Sequence, residues 1–288
     1  MINYNPSGLA RLTSSNIHYK YYPFEYFLDT CSSLGLKNIE LYLCPPHVWI
    51  DWQKNEDLTA LRKNLEKHDL SSPVLRPESD SLRYTLCAAD PERLRRSGIY
   101  FERCLDAAAE LGAELLSVSV SGAYMDELYK TAFARAAEQI GSLCEKAALR
   151  GIKIALESFC PKDSIINNSL AEVKKLMDAV SHPALTVTLD TVSMSEAGET
   201  IPQWFEVLKG RIGYIRLADG RTGSEHYIWG KGIYPLERYL SQIEDCGYKG
   251  LFSLHLTLED YYQDPKQADQ QNIGALLRFF GTAGGEQV

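Results

Sequence analysis

Read by its apolar and polar positions, the chain repeats one unit. An amphipathic stretch closes on a glycine, and a short run rich in leucine and β-branched residues follows within about four residues. The unit recurs as LGLKNIELYL (34–43), LGAELLSVSV (111–120), RGIKIALESF (150–159), GRIGYIRLAD (210–219) and CGYKGLFSLHL (246–256). A glycine just past a helix ends it in the left-handed region. The apolar run that follows is too short for a helix and suits a strand buried on both faces. Weaker strand patterns at 8–14, 71–77 and 184–190 bring the count to eight.

Between the strands the spacing predicts helices near 23–34, 57–68, 91–111, 127–149, 169–180, 202–209, 235–246 and 265–280. Their starts carry local signals: Asp90-Pro91 and Asp264-Pro265 set a capping Asp before a Pro, and Ser169 with Glu172 has capping-box spacing. Eight strands, each followed by a helix, are what a (β/α)8 TIM barrel requires, and a doubly wound sheet would need fewer strands and a glycine-rich first turn. The 288 residues are therefore expected to form a single barrel domain over 1–288. The stretch Ser71–Pro91 follows strand 3 without clear periodicity and is expected to cover substrate rather than link domains.

Composition narrows the classes. Apolar residues make up 45% and charged residues 24%, which excludes a disordered or fibrous chain. The net charge of −8, with no cluster of Lys or Arg, speaks against nucleic acid. No apolar run is long enough to span a bilayer, and the N-terminus lacks a signal-peptide pattern, so a cytoplasmic protein with no membrane partner is expected. The seven cysteines are scattered without a C-x-x-C pair and read as reduced core thiols.

In such a barrel the chemistry sits where strands end. Polar residues close otherwise apolar runs at Glu40, Arg76, Glu78, Glu157, Asp190, Arg216, Asp219 and His255. A charge inside a buried strand costs several kcal/mol unless it is paired, so these residues either pair with one another or hold a ligand.

The segments IKIALESF, LTVTLDTVSM, YIRLADG, SEHYIWGKGIYPL and GYKGLFSLHL, with LGLKNIELYLCPPHVW and RPESDSLRYTLCAADPERLRRS, give the sequence a family likeness. It resembles the xylose isomerase-like barrels, closest to ketose 3-epimerases of the tagatose, psicose and fructoselysine type. The resemblance covers about residues 20 to 280. It implies proton abstraction next to the carbonyl of a ketose or ketose conjugate, with Glu157 and His255 as acid/base residues. Glu40, His47, Arg216 and His226 are then expected to bind the sugar.

The resemblance also implies a divalent metal (Mn, Mg or Zn) on Glu157 and Asp190. Arg216 stands where the family carries His, and His255 where it carries a second Glu. The ligand set Glu157, Asp190 and His255 is thus expected to bind metal weakly or not at all, because a guanidinium beside a divalent ion is repelled. Arg216 or a weakly held ion then supplies the electrophile.

A second reading is a barrel that binds a sugar derivative without turning it over; DNA-repair endonucleases of the superfamily are disfavoured by the charge and by only six histidines. Lys231, between two glycines, gives a weak phosphate signal, and Trp49, Trp52, Tyr84, Trp204 and Trp229 are candidates to wall the pocket. The resemblance, with apolar loops on the active-site side, suggests a homo-oligomer.

Overall fold

The structure, a computed structural model, describes residues 9–80 and 82–282, with side chains to residue 278. Eight parallel strands close into a barrel in sequence order, β1 pairing with both β2 and β8. They are β1 Leu12–Ser15, β2 Asn38–Leu43, β3 Ser71–Pro77, β4 Leu115–Ser119, β5 Lys153–Glu157, β6 Leu185–Asp190, β7 Ile212–Arg216 and β8 Phe252–Leu254. Every predicted strand is found.

The helices follow the predicted windows: α1 Phe24–Ser33, α2 Thr59–Lys67, α3 Pro91–Glu110, α4 Tyr129–Ala148, α5 Leu170–Val180, then α7 Ile201–Leu208, α8 Leu236–Asp245 and α9 Pro265–Thr282. The five glycines that close the repeated unit, Gly35, Gly112, Gly151, Gly210 and Gly247, have φ between 72° and 81°. The chain can therefore leave each helix and turn into the next strand without a Cβ clash. The expected caps form as well: Asp90 accepts from the Arg93 amide at 2.7 Å, Asp264 from Gln267 at 3.0 Å and Ser169 from Glu172 at 3.4 Å.

Three short elements were not expected. Helix α6, Thr191–Glu196, starts directly at the end of β6, and 3-10 turns cover Asn16–Tyr19 and Glu259–Tyr262. Each is too brief to show helical periodicity, and α6 forms because the Asp190 carboxylate accepts from the Val192 amide at 2.8 Å and the Ser193 amide at 3.3 Å.

The core lies between strands and helices, where Trp204, Tyr100, Phe27, Phe101 and Phe252 are fully buried. Removing each such side chain from water contributes roughly 1.5–3 kcal/mol. Six cysteines are buried free thiols; Cys246, at the end of α8, is exposed, contrary to the expectation of core thiols throughout. No helix among the described residues is long and apolar enough to cross a membrane.

Candidate active site

Register explains why the polar strand ends meet. Ser119 pairs with Glu157 across β4 and β5, Glu157 with Thr188 across β5 and β6, Asp190 with Arg216 across β6 and β7, and Arg216 with Ser253 across β7 and β8. The strands therefore deliver their last residues to one rim. There Arg76, Glu157, Asp190, Arg216, His226 and His255 line a cavity of about 540 Å³, together with Asp80 and Leu82 from the segment after β3. That segment supplies cavity lining, as its place after β3 implied.

Glu157 is the hub, only 3% exposed. It accepts from Ser117 Oγ at 2.7 Å and Ser119 Oγ at 3.0 Å. Arg76 approaches it with Nε at 3.0 Å and Nη2 at 3.2 Å, and Arg216 with Nη2 at 3.0 Å and Nη1 at 3.3 Å. Arg216 Nη1 also donates to Asp190 Oδ2 at 3.2 Å, and its Nη2 lies 3.7 Å from Glu40 Oε2. Arg76 Nη2 reaches Asp80 at 2.8 Å.

Burial alone would raise the pKa of these carboxylates, but the cations outweigh it. Arg216 and then Arg76 hold Glu157 well below the usual carboxylate range. His226 and Arg216 hold Asp190 down, and Arg216 with His255 brings Glu40 to about 2. All three are ionised at neutral pH.

Two imidazoles complete the site. His255 follows β8, and its Nδ1–H donates to Glu40 Oε1 at 3.2 Å, while Ser253 Oγ donates to Glu40 Oε2 at 2.9 Å. Its Nε2 has no hydrogen-bond partner among the described residues. Burial, helped by the Arg216 charge, lowers the ring to about 3, so it is neutral at pH 7. His226 Nε2 donates to Asp190 Oδ2 at 2.8 Å, and its Nδ1 meets Thr257 Oγ1 at 3.3 Å. The two rings lie 5.2 Å apart, nearly perpendicular.

The loop that carries His226 is fastened by Asp219. One carboxylate accepts the backbone amides of Gly220, Gly230, Gly232 and Tyr234, all at 2.8–2.9 Å. The glycine-lysine-glycine turn read as a weak phosphate signal therefore already holds an internal anion, and Lys231 is exposed to solvent.

Six of the seven singled-out residues (Glu40, Glu157, Asp190, Arg216, His226 and His255) are linked directly by contacts. Two placements differ from a sugar-binding role. Glu40 is completely buried beneath His255 and does not line the cavity. His47 lies apart, with Asn16 Nδ2 on its Nδ1 at 2.9 Å and the Tyr22 carbonyl on its Nε2 at 2.9 Å, so both ring nitrogens are spent on the segment that follows β1. None of the five candidate aromatics lines the cavity; Tyr84, for one, stacks on Tyr100 at 3.8 Å.

Sequence reasoning missed Ser117 and Ser119 as partners of Glu157, although the alternation in LLSVSV puts both on one face of β4. It named Arg76 and Asp219 only among the strand-end charges, without saying what either one holds.

The donor set does not fit the implied metal. Glu157 and Asp190 are bridged by the Arg216 guanidinium, whose permanent charge lies where a cation would have to sit. Among the described residues no group of three or more His, Cys, Asp or Glu is arranged to hold a metal ion. An incoming divalent ion would have to break buried ion pairs and face repulsion of several kcal/mol.

Similarity to known proteins follows the same lines. The xylose isomerase-like TIM barrel family profile matches residues 28–279. Fructoselysine 3-epimerase of Escherichia coli O157:H7 is 25% identical over 258 residues, spanning 89% of this chain and 92% of its own. A ketose 3-epimerase of Arthrobacter globiformis is 21% identical over 240 residues, spanning 81% and 77%. Among solved structures, the IOLI protein with a bound zinc atom shares the fold, with a TM-score of 0.77, 17% identity and coverage of 93% and 97%. With the barrel closed in order and the profile spanning nearly all of its strands, the chain belongs to the xylose isomerase-like TIM barrel family.

Proposed function

We propose that the protein is a sugar epimerase or isomerase that removes a proton next to the carbonyl of a ketose or ketose conjugate, through an enediolate. The relatives named above act on such sugars by their names, and the cavity supplies the groups the reaction needs. The observation that carries the reading is His255. It is a cavity-lining imidazole whose Nδ1–H is fixed by Glu40 and whose Nε2 has no partner among the described residues. A base needs a free lone pair facing the substrate and a carboxylate that fixes its orientation.

Glu157, expected to act as a base, takes a different part. With two serines and two arginines on its oxygens, it has no free lone pair to accept a proton. It anchors the arginines. Asp190 holds His226, and the substrate is a small sugar met by Arg216 and His226.

The test is product analysis by chromatography after incubation with a panel of free ketoses and ketose-amine conjugates. At least one is expected to yield its epimer or isomer. His255→Ala should lower kcat by roughly 10²–10⁴ with KM little changed. Binding of the same sugars without any product would instead identify a barrel that keeps the pocket and has lost the reaction.

A further inference from the structure

We propose that Arg76 and Arg216 form a two-guanidinium centre that replaces the divalent ion, so that the oxyanion of the substrate is stabilised by arginine and the reaction runs without metal. This rests on the epimerase reading above and adds the identity of its electrophile.

Three observations carry it. Both guanidinia grip the same carboxylate, each through two nitrogens, at 3.0–3.3 Å. Arg216 spans Glu157 and Asp190 together, and its planar fork meets both carboxylates with fixed N–H directions. Each residue is 3% exposed and lines the cavity, and each keeps one buried N–H donor without a partner, Arg76 Nη1 and Arg216 Nε. Buried donors are normally satisfied, so each arginine keeps hydrogen-bonding capacity that the protein leaves unused. Ser117 and Ser119 occupy the remaining capacity of Glu157, which leaves this carboxylate nothing to offer a metal.

The chemistry balances without a co-reactant. The C–H bond beside the carbonyl breaks and its proton passes to His255 Nε2. The electron pair forms a C=C bond, and the carbonyl π pair moves onto oxygen as an anion held by the arginines. A proton from solvent then adds to the opposite face of that carbon, restoring C–H and C=O with inverted configuration, and His255 returns its proton to solvent. Fixed charges already in place where negative charge develops need no reorganisation during the step.

The probe is MnCl2 alone, titrated by calorimetry into chelator-treated protein. The unaltered chain is expected to show no saturable binding below millimolar Mn²⁺. Arg216→His combined with His255→Glu, which restores the family's donors, is expected to bind at least ~10–100-fold tighter. Micromolar or tighter binding by the unaltered chain, or no gain in a folded double variant, overturns the proposal. If the double variant fails to fold, Arg76→Lys and Arg216→Lys decide: both keep the charge and lose the fork, and each should lower kcat roughly 100-fold or more. Undiminished kcat in either overturns it. The titration contains no sugar, so its outcome is separate from whether ketoses are turned over.

Discussion

A carboxylate sealed inside a barrel persists only where something neutralises it, and Glu40 has Arg216 at 3.7 Å and the His255 Nδ1–H at 3.2 Å. The arrangement links stability to pH. His255 falls to about 3 in the folded chain from an ordinary 6.5, so as pH drops the unfolded chain takes up its proton first. Stability is therefore lost from about pH 6.5 downward, at ~1.4 kcal/mol per pH unit for one proton. His47, also lowered by burial, acts in the same direction. The depressed carboxylates Glu40, Glu157 and Asp190 contribute stability that is lost only at lower pH, where the unfolded chain takes up their protons from about pH 4 downward while the folded chain does not. In thermal melts between pH 6.5 and 4.5, His255→Asn should show a shallower decline than the parent. Parallel curves would show that the ring is already charged in the folded state. Sequence order placed Glu40, Glu157, Asp190 and His255 at strand ends. It could not say that Glu40 faces His255 rather than a sugar, because that depends on which side chain fills the space above β2.

Among the elements, the loop after β7 shows best what local signals convey. The five glycine joints were legible because a helix end and a following strand leave a fixed pattern over a few residues. The turn Gly230-Lys231-Gly232 was not, because its partner, Asp219, lies eleven to thirteen residues away. Gly232 has no room for a side chain: a Cβ there would come within 2.3 Å of Asp219 Oδ1 and of the Gly220 carbonyl oxygen. Gly232→Ala must therefore push the loop off its carboxylate, at a cost of about 1–3 kcal/mol. Because the same loop brings His226 to Asp190, hydrogen exchange should speed up at the amides of Gly230, Gly232 and Tyr234 while β1–β6 stay protected. Unchanged exchange in this loop would show that Asp219 does not hold it.

On the scale of the whole molecule, eight apolar runs and their glycines sufficed for the barrel, since each strand and helix is specified by its own periodicity. Pairing within the site was less legible: the register that sets Asp190 beside Arg216, and Ser117 beneath Glu157, exists only once the sheet closes. Exposed Tyr21, Trp49, Leu82, Tyr124, Met125, Leu128 and Ile233 all lie in segments that follow strands, on the cavity's side of the barrel. We propose that a second copy covers this face. Light scattering at micromolar concentration should then give twice the 32.4 kDa chain mass or more, and a monomer would remove the idea. The measurement that bears most directly on the chemistry is solvent-isotope exchange. A ketose or ketose conjugate is incubated with the protein in D2O containing excess EDTA and followed by proton NMR. Deuterium should appear at the carbon that inverts, at a rate the chelator does not change. Binding with no exchange in any sugar tested, or exchange that stops with EDTA and returns with Mn²⁺, would contradict a metal-free epimerase built on His255, Arg76 and Arg216.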